Sequence, residues 1–362
     1  MKLYKLTPLI FCLLLKTYSS ELRLIPQFKL PSASGKIYTN SDLNGKKGVI
    51  IVLLSNHCRI SQKFDEYLNS NYIFWKQKGL NLFVFSPNNE KAIIPSELAY
   101  SEYGDSLDEM ELKVSKKKII FPYIYDGSDQ IISTTLNAKV TPSVYLFNKE
   151  RELVYTGRIG NHQNISDEKN FDLNKKINQL IENEEIEFSK TSSFGTNIRF
   201  KKDLLHVEEI NRRYSKETVN IHLADERKIN LIIKNNLNQP LFFYVWKIDN
   251  QTNLIRANLN IISKNFKIFR KRGIKFYTVC ILNKGNEEKA LELLKYSSLS
   301  SYNYYVYPNQ QTALMKLTEN NWIDIYPFCR LIKRNGEYGY AYQGKLDDFK
   351  LRSNILKAIE EK

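Results

Sequence analysis

The sequence is poor in cysteine. Four of its 362 residues are cysteines, and one of them, Cys12, lies in the apolar N-terminal run. The other three are Cys58, Cys280 and Cys329. An exported scaffold that is held together by disulfides normally has more cysteines, in an even number. Disulfide bonds are therefore not expected to stabilise this fold.

Histidine is equally scarce. The four histidines are His57, His162, His206 and His222, and none is spaced from a cysteine or a carboxylate pair in the manner of metal ligands. The sequence thus predicts neither a metal site nor a cofactor.

Acidic residues are outnumbered, with 39 against 54 lysines and arginines, for a formal charge of +15. Such an excess is typical of proteins that bind nucleic acid or membrane surfaces. The densest basic run is 264–276. The apolar residues before and within it recur at three- and four-residue steps, which predicts an amphipathic helix with a solvated basic face: Ile255, Leu259, Ile262, Phe266 and Phe269. Because these basic residues are predicted to form a solvated helix face, we expect no binding to nucleic acid.

The N-terminal apolar run is short. Lys2 and Lys5 precede the run 6–15, and small polar residues follow as far as Ser20. This order is typical of a secretory signal peptide, and the run is shorter than the roughly 20 apolar residues of a membrane-spanning helix. The sequence predicts a signal over residues 1–20, cleavage near Ser20 and export to the periplasm or the medium, with no remaining membrane span. Retention of the segment as an anchor is the alternative.

Strands and helices are predicted to alternate after the signal. The run 48–55 is apolar at successive positions, as in a strand that is covered on both faces. A helical period follows Cys58 and ends near Gly79, and the next strand spans 80–86. Strands at 143–148 and 153–159 form an antiparallel pair, followed by a closing helix. This order predicts an α/β sandwich with a central mixed sheet.

The second half repeats the scheme. Strands are predicted at 240–246, 274–282 and 327–332, and the longest helix lies between the first two. A chain of this length usually forms more than one core. The sequence predicts two tandem domains, at 21–200 and 229–362, with the charged segment 201–228 as a connector.

Motifs of the first half resemble a known family. The segments "VIIVLLSNHCRIS" and "TPSVYLFN" resemble the redoxin branch of the thioredoxin superfamily, which includes alkyl hydroperoxide reductase / thiol-specific antioxidant proteins and peroxiredoxin-like relatives. The resemblance implies a thioredoxin-like fold and an antioxidant oxidoreductase in which Cys58 is the reactive thiol. It also implies that Thr141 and Pro142 form a loop that faces the thiol, usually with a cis peptide bond. The implied substrates are a peroxide or a disulfide, with an external thiol as reductant.

The residues around Cys58 suit this chemistry. A helix N-terminus lowers the pKa of a cysteine, and Arg59 and His57 add positive charge. Ser61 stands one helical turn on, where its hydroxyl reaches a thiolate, and Ser55 is a candidate hydrogen-bond donor to a peroxide. These polar neighbours predict an uncovered sulfur. The backbone of Thr141 is expected to be open for pairing with a substrate or partner chain.

The sequence departs from the family pattern at several positions. Arg59 replaces the usual proline, and Ser61 stands where a second cysteine completes Cys-x-x-Cys. Thr196 lies where relatives often have a further cysteine. A disulfide of Cys58 would therefore join another chain or a small thiol, or would follow a sulfenic acid.

The second half resembles exported thioredoxin-like thiol–disulfide oxidoreductases that have lost their thiols. Asn250 and Asn253 stand at the positions of the two cysteines, and Pro327 takes the facing-loop position. Cys280 and Cys329 lie in strands and are predicted to be core residues. This domain is expected to be redox-inactive and to bind a protein partner or pack as scaffold.

Two interpretations of the whole chain remain open. In the first, the protein is an exported single-thiol oxidoreductase. In the second, it is a non-catalytic pair of thioredoxin folds that binds proteins, and Cys58 is vestigial.

Overall fold

The computed structural model describes residues 27–161, 163, 166–235, 238–248, 252–315, 317 and 326–361. The chain divides into two compact units. The first takes residues up to Ala92 and Tyr103–Asp203, and the second takes Ile93–Glu102 and residues from Leu204 onward. The predicted signal peptide and Asn250 lie outside the described residues.

The first unit is built on a six-stranded mixed sheet in the order β5-β4-β3-β7-β8-β9. Its elements are β1 (Lys29–Pro31), β2 (Ile37–Thr39), β3 (Gly48–Leu53), α1 (Arg59–Gln62), α2 (Asp65–Gln77), β4 (Leu80–Ser86), α3 (Leu107–Lys117), β5 (Tyr123–Tyr125), α4 (Ile131–Thr135), β6 (Val140–Thr141), β7 (Ser143–Asn148), β8 (Leu153–Gly157), α5 (Asp172–Ile181), β9 (Ser189–Lys190) and β10 (Thr196–Asn197).

Strand β3 lies at the centre of this sheet because every one of its side chains is apolar or absent. It pairs parallel with β4 and antiparallel with β7, and all six of its residues are buried. Side chains on alternate faces enter two separate apolar clusters, which contain Ile50 and Val52 on one face and Val49 and Ile51 on the other. The continuous run of branched residues therefore forms a strand that is covered on both sides.

The second unit has its own six-stranded mixed sheet in the order β11-β14-β13-β12-β15-β16. Its elements are α6 (Leu204–Ser215), β11 (His222–Leu223), α7 (Glu226–Asn235), β12 (Leu241–Lys247), α8 (Thr252–Phe269), β13 (Lys275–Ile281), α9 (Glu287–Tyr296), β14 (Tyr302–Val306), α10 (Thr312–Met315), β15 (Phe328–Ile332), β16 (Tyr338–Gln343) and α11 (Asp348–Glu360). Each unit is an α/β sandwich with a mixed sheet between helices, so the predicted fold class is confirmed.

Residues 201–228 are not a simple connector. They contain α6, and β11 pairs parallel with β14 at the edge of the second sheet. The second unit also takes the segment Ile93–Glu102 from within the first half of the sequence. Its short 3₁₀ helix, Pro95–Tyr100, contributes Ala99 to the core of that unit. These segments have few buried positions. The sequence did not predict them because the segments are rich in charged residues and have no regular apolar period.

Cys280 and Cys329 lie in strands β13 and β15, which flank β12. Both side chains are fully buried, and both are free thiols. The prediction that both are core residues is confirmed.

Within the described part of the chain, no helix combines the length and the apolar character needed to cross a membrane.

Candidate active site around Cys58

Cys58 lies where the chain leaves the central strand of the first unit. Strand β3 ends at Leu53, and Cys58 is the N-cap of α1, which begins at Arg59. Helix α1 has four residues and ends at Gln62, because the predicted continuous helix is interrupted before α2 begins at Asp65. The helix field acting on the sulfur is therefore that of a single turn, which is weaker than the sequence suggested.

The predicted facing loop lies against the sulfur. The Thr141–Pro142 peptide bond is cis, and the Cys58 thiol donates a hydrogen bond to the Thr141 carbonyl oxygen over 3.1 Å. Parallel strands and the returning antiparallel strand β7 bring these two segments to the same edge of the sheet, although 83 positions separate them in sequence.

The expectation of an uncovered sulfur is wrong. Cys58 is 1% exposed, and the two polar residues before it, Asn56 and His57, are buried as well. The backbone of Thr141 is not open either, because β6 pairs antiparallel with β10 of the same chain, with Thr196 opposite Thr141. Sequence patterning did not show this pairing because a two-residue strand leaves no periodicity.

Hydroxyl and backbone groups from two segments surround the sulfur. Burial raises the pKa of Cys58, but side-chain hydrogen bonds from Thr196 and Ser61, with backbone hydrogen bonds from the same two residues, outweigh burial and lower that pKa. The Thr141 carbonyl opposes them, since it accepts the proton of the neutral thiol. The contacts with Thr196 and Ser61 therefore favour the thiolate.

A buried carboxylate that the sequence analysis missed organises the loop before Cys58. Asp105 accepts hydrogen bonds from the backbone N–H of Asn56 at 2.5 Å and from the Asn88 side-chain amide at 2.6 Å. Its Oδ2 lies 2.9 Å from Nδ1 of His57. Burial raises the pKa of Asp105, but the charge of His57 and the hydrogen bonds that the carboxylate accepts lower it below its usual value. Asp105 therefore fixes the loop and balances the charge of His57.

Ser55 and Arg59, two predicted site residues, have surroundings that differ from the prediction. The Ser55 hydroxyl donates to Asp105 over 2.8 Å and lies 2.9 Å from Nδ1 of His57, so its proton is engaged inside the loop and not directed to a peroxide. Arg59 is exposed at the first position of α1. Ser61 is buried, and its contact with the sulfur lowers the pKa of Cys58.

The sequence contained little signal for Asp105 and Thr196. Asp105 precedes Ser106, the N-cap of α3. Aspartate is common at helix N-termini, so the sequence indicates no other role for it. Thr196 was notable only for the cysteine it replaces. Both residues are brought to the site by the tertiary structure. Asp105, for example, lies 48 positions from His57 in the sequence.

The described part of the second unit includes a cis-proline element like the one beside Cys58. The Tyr326–Pro327 bond is cis, and it precedes β15. Asn253 lies in the first turn of α8. Burial raises the pKa of Cys329 to about 12, which leaves its thiol protonated at neutral pH.

Among the described residues, no group of three or more histidines, cysteines and carboxylates is placed to hold a metal ion.

Removing the hydroxyls that contact the sulfur is expected to make Cys58 less acidic. A hydrogen bond to a charged group contributes about 1.5–3 kcal/mol, so Thr196→Val or Ser61→Ala should raise its pKa by about 1–2 units. The rate of iodoacetamide alkylation at Cys58, followed against pH by peptide mass spectrometry, measures this shift. Thr196→Ser keeps the hydroxyl and should titrate like the wild type. An unshifted midpoint in both deletion variants would contradict the assigned contacts.

Comparison with known proteins agrees with the family resemblance of the first half. Residues 23–156 match the model of the AhpC/TSA family. None of the curated proteins compared with the chain matches it.

Three solved structures illustrate the structural comparison. A hypothetical protein from Sinorhizobium meliloti 1021 has 23% identity and a TM-score of 0.42, over 49% of this chain and 92% of its own. Peroxidoxin BcpB from Mycobacterium tuberculosis has 10% identity and a TM-score of 0.32, over 43% and 92%. A secreted disulfide oxidoreductase from the same organism has 14% identity and a TM-score of 0.28, over 37% and 81%.

Proposed function

We propose, from the match of residues 23–156 to the AhpC/TSA family, that this protein is a thiol oxidoreductase that reduces small peroxides with the single thiol of Cys58. The observation that carries the proposal is the surroundings of one sulfur atom. It lies beside the cis-proline loop, and donors from Ser61 and Thr196 favour its thiolate. A thiolate is the nucleophile in this chemistry, so contacts that lower the pKa of Cys58 support its reactivity.

Burial of the sulfur favours a peroxide over a protein disulfide. Cys58 is 1% exposed, and the edge of β6 beside it is already paired with β10. A hydroperoxide has two oxygen atoms at its reactive end and needs no strand edge for binding. A polypeptide disulfide would need both the edge and direct access to the sulfur.

The proposed reaction proceeds in two stages. The Cys58 thiolate attacks one oxygen of the peroxide, the O–O bond breaks, and the other oxygen leaves as an alkoxide or hydroxide that takes up a proton. The sulfur is oxidised to a sulfenic acid. A small external thiol then forms a mixed disulfide with Cys58 and releases water, and a second thiol restores the reduced protein as a small disulfide forms.

A non-catalytic role is the second candidate, and the low exposure of Cys58 favours it. Against it, the buried sulfur is surrounded by hydrogen-bonding groups and not by apolar side chains alone. The second unit has no thiol at the positions of Asn250 and Asn253, and we propose that it binds a protein partner or packs as scaffold. Export, with cleavage near Ser20, remains a proposal from residues 1–20 alone.

Formation of a sulfenic acid tests the proposed function. Wild-type protein treated with one equivalent of hydrogen peroxide in the presence of dimedone should gain the adduct at Cys58. Cys280 and Cys329 are internal controls, because both are fully buried and burial raises the pKa of each thiol. Mass spectrometry of the proteolysed protein locates the adduct. Unmodified Cys58 with unconsumed peroxide would favour the non-catalytic role.

A further inference from the structure

Residues 191–198 form a closing segment beside Cys58. Within it, β10 pairs with β6, and the backbone N–H of Ile198 donates to the carbonyl of Lys139 over 2.9 Å. The segment thus occupies the strand edge next to the cis Thr141–Pro142 bond. An extended polypeptide can bind an exposed strand through this kind of main-chain pairing.

The segment lies directly on the facing loop at Gly195. A Cβ atom added there would lie 1.8 Å from the Thr141 carbonyl oxygen and 3.1 Å from Cδ of Pro142. Only a residue without a side chain allows this approach. The close fit leaves no room for a second chain between the segment and the loop.

The two ends of the segment are anchored. The Thr191 hydroxyl lies 2.7 Å from the hydroxyl of Tyr155, and its backbone N–H donates to the Thr156 carbonyl. Ile198 is buried in the core at the other end. Between these anchors, Ser192 and Gly195 are exposed and Phe194 is 48% exposed.

We propose that the closing segment determines which oxidants reach Cys58: it admits molecules the size of a peroxide and excludes polypeptides by taking their strand-pairing site. This inference rests on the proposed function, because it specifies the substrate class of the same thiol. It also explains why a sulfur surrounded by hydrogen-bond donors is 1% exposed. Displacing the segment would uncover the sulfur and the edge of β6 together.

Reagent size provides the test. Full-length protein is alkylated in separate experiments with two reagents of different size. Iodoacetamide is the small reagent, and a maleimide carrying a polyethylene glycol chain of about 5 kDa, comparable to a small polypeptide, is the bulky one. The rate at Cys58 is followed by mass spectrometry and gel shift. In the wild type the small reagent should modify Cys58 while the bulky one does not.

Gly195→Val places a side chain against Thr141 and should displace the segment. The ratio of bulky to small reagent rates should rise by about tenfold or more, as expected when overpacking favours a locally open state. Ile198→Ala loosens the buried anchor without a clash and should act in the same direction, so it replaces Gly195→Val if that variant does not fold. Ser192→Val, at an exposed position of the same segment, should leave the ratio unchanged.

An unchanged ratio in folded Gly195→Val and Ile198→Ala would overturn the proposal, as would ready modification of the wild type by the bulky reagent. These outcomes differ from failure of the proposed function. A protein that forms no sulfenic acid still reports whether the closing segment controls access to the thiol.

Discussion

Cys58→Ser is expected to abolish peroxide consumption, leaving only the rate at which the external thiol reacts with peroxide by itself. A serine hydroxyl remains protonated at neutral pH and does not replace a thiolate as nucleophile. Hydrogen peroxide in the presence of a small thiol, measured over time by a colorimetric assay, reports the loss. The substitution is nearly isosteric, so the hydrogen bond to Thr141 can persist and the first unit should fold.

Cys329→Ala is the matched control for Cys58→Ser. It removes a buried thiol from the second unit and should retain the wild-type rate per folded molecule, because burial keeps that thiol protonated. Equal peroxide consumption by wild type and Cys58→Ser would mean that Cys58 is not the reactive group. Loss in both variants would instead point to a general effect on folding, which circular dichroism would detect.

Asp105→Ala should cost about 3–5 kcal/mol of the unfolding free energy of the first unit, the usual range when one member of a buried ion pair is removed. The substitution leaves the Asn56 N–H, the Asn88 amide and the His57 imidazole without their shared acceptor inside the protein. Folding lowers the pKa of Asp105, so the wild-type contribution is present at neutral pH and is lost as pH falls through that lowered value.

Hydrogen exchange measured by mass spectrometry locates this loss. Peptides from β3 and α3 should exchange faster in Asp105→Ala, while peptides from β12 and β13 in the second unit act as an internal reference. Asp105→Asn keeps an acceptor oxygen but removes the charge opposite His57, and it should be destabilised less than Asp105→Ala. Wild-type protection of β3 in Asp105→Ala would show that the carboxylate does not stabilise the loop.

Local patterns were enough to predict the main elements of the fold. The apolar run that became β3 and the helical period of α8 carry their signal in consecutive residues, because burial on two faces or on one helix face repeats with a fixed period. The short strands β10 and β11 have no such repeat. Their partners, β6 and β14, lie far away in sequence and supply the reason for their conformation.

The residues of the candidate site fall into the same two groups, those marked by the local sequence and those placed by contacts between distant segments. The sequence identified Cys58, Ser61 and the Thr141–Pro142 loop, because residue type and family motif both mark them. It did not identify Asp105 as the acceptor that organises the loop, and it treated Thr196 as the absence of a cysteine. Neither role is visible without knowing which loops meet at the end of β3.

The sequence by itself determined that this protein has two mixed α/β sheets, a thiol after the first central strand and no thiol at the equivalent place in the second unit. Only the tertiary structure decided that the thiol is buried, that its acidity depends on Ser61 and Thr196, and that the neighbouring strand edge is already paired. The reason is physical: side-chain patterns report which face of an element is buried, whereas access and electrostatics at one sulfur depend on contacts between distant segments.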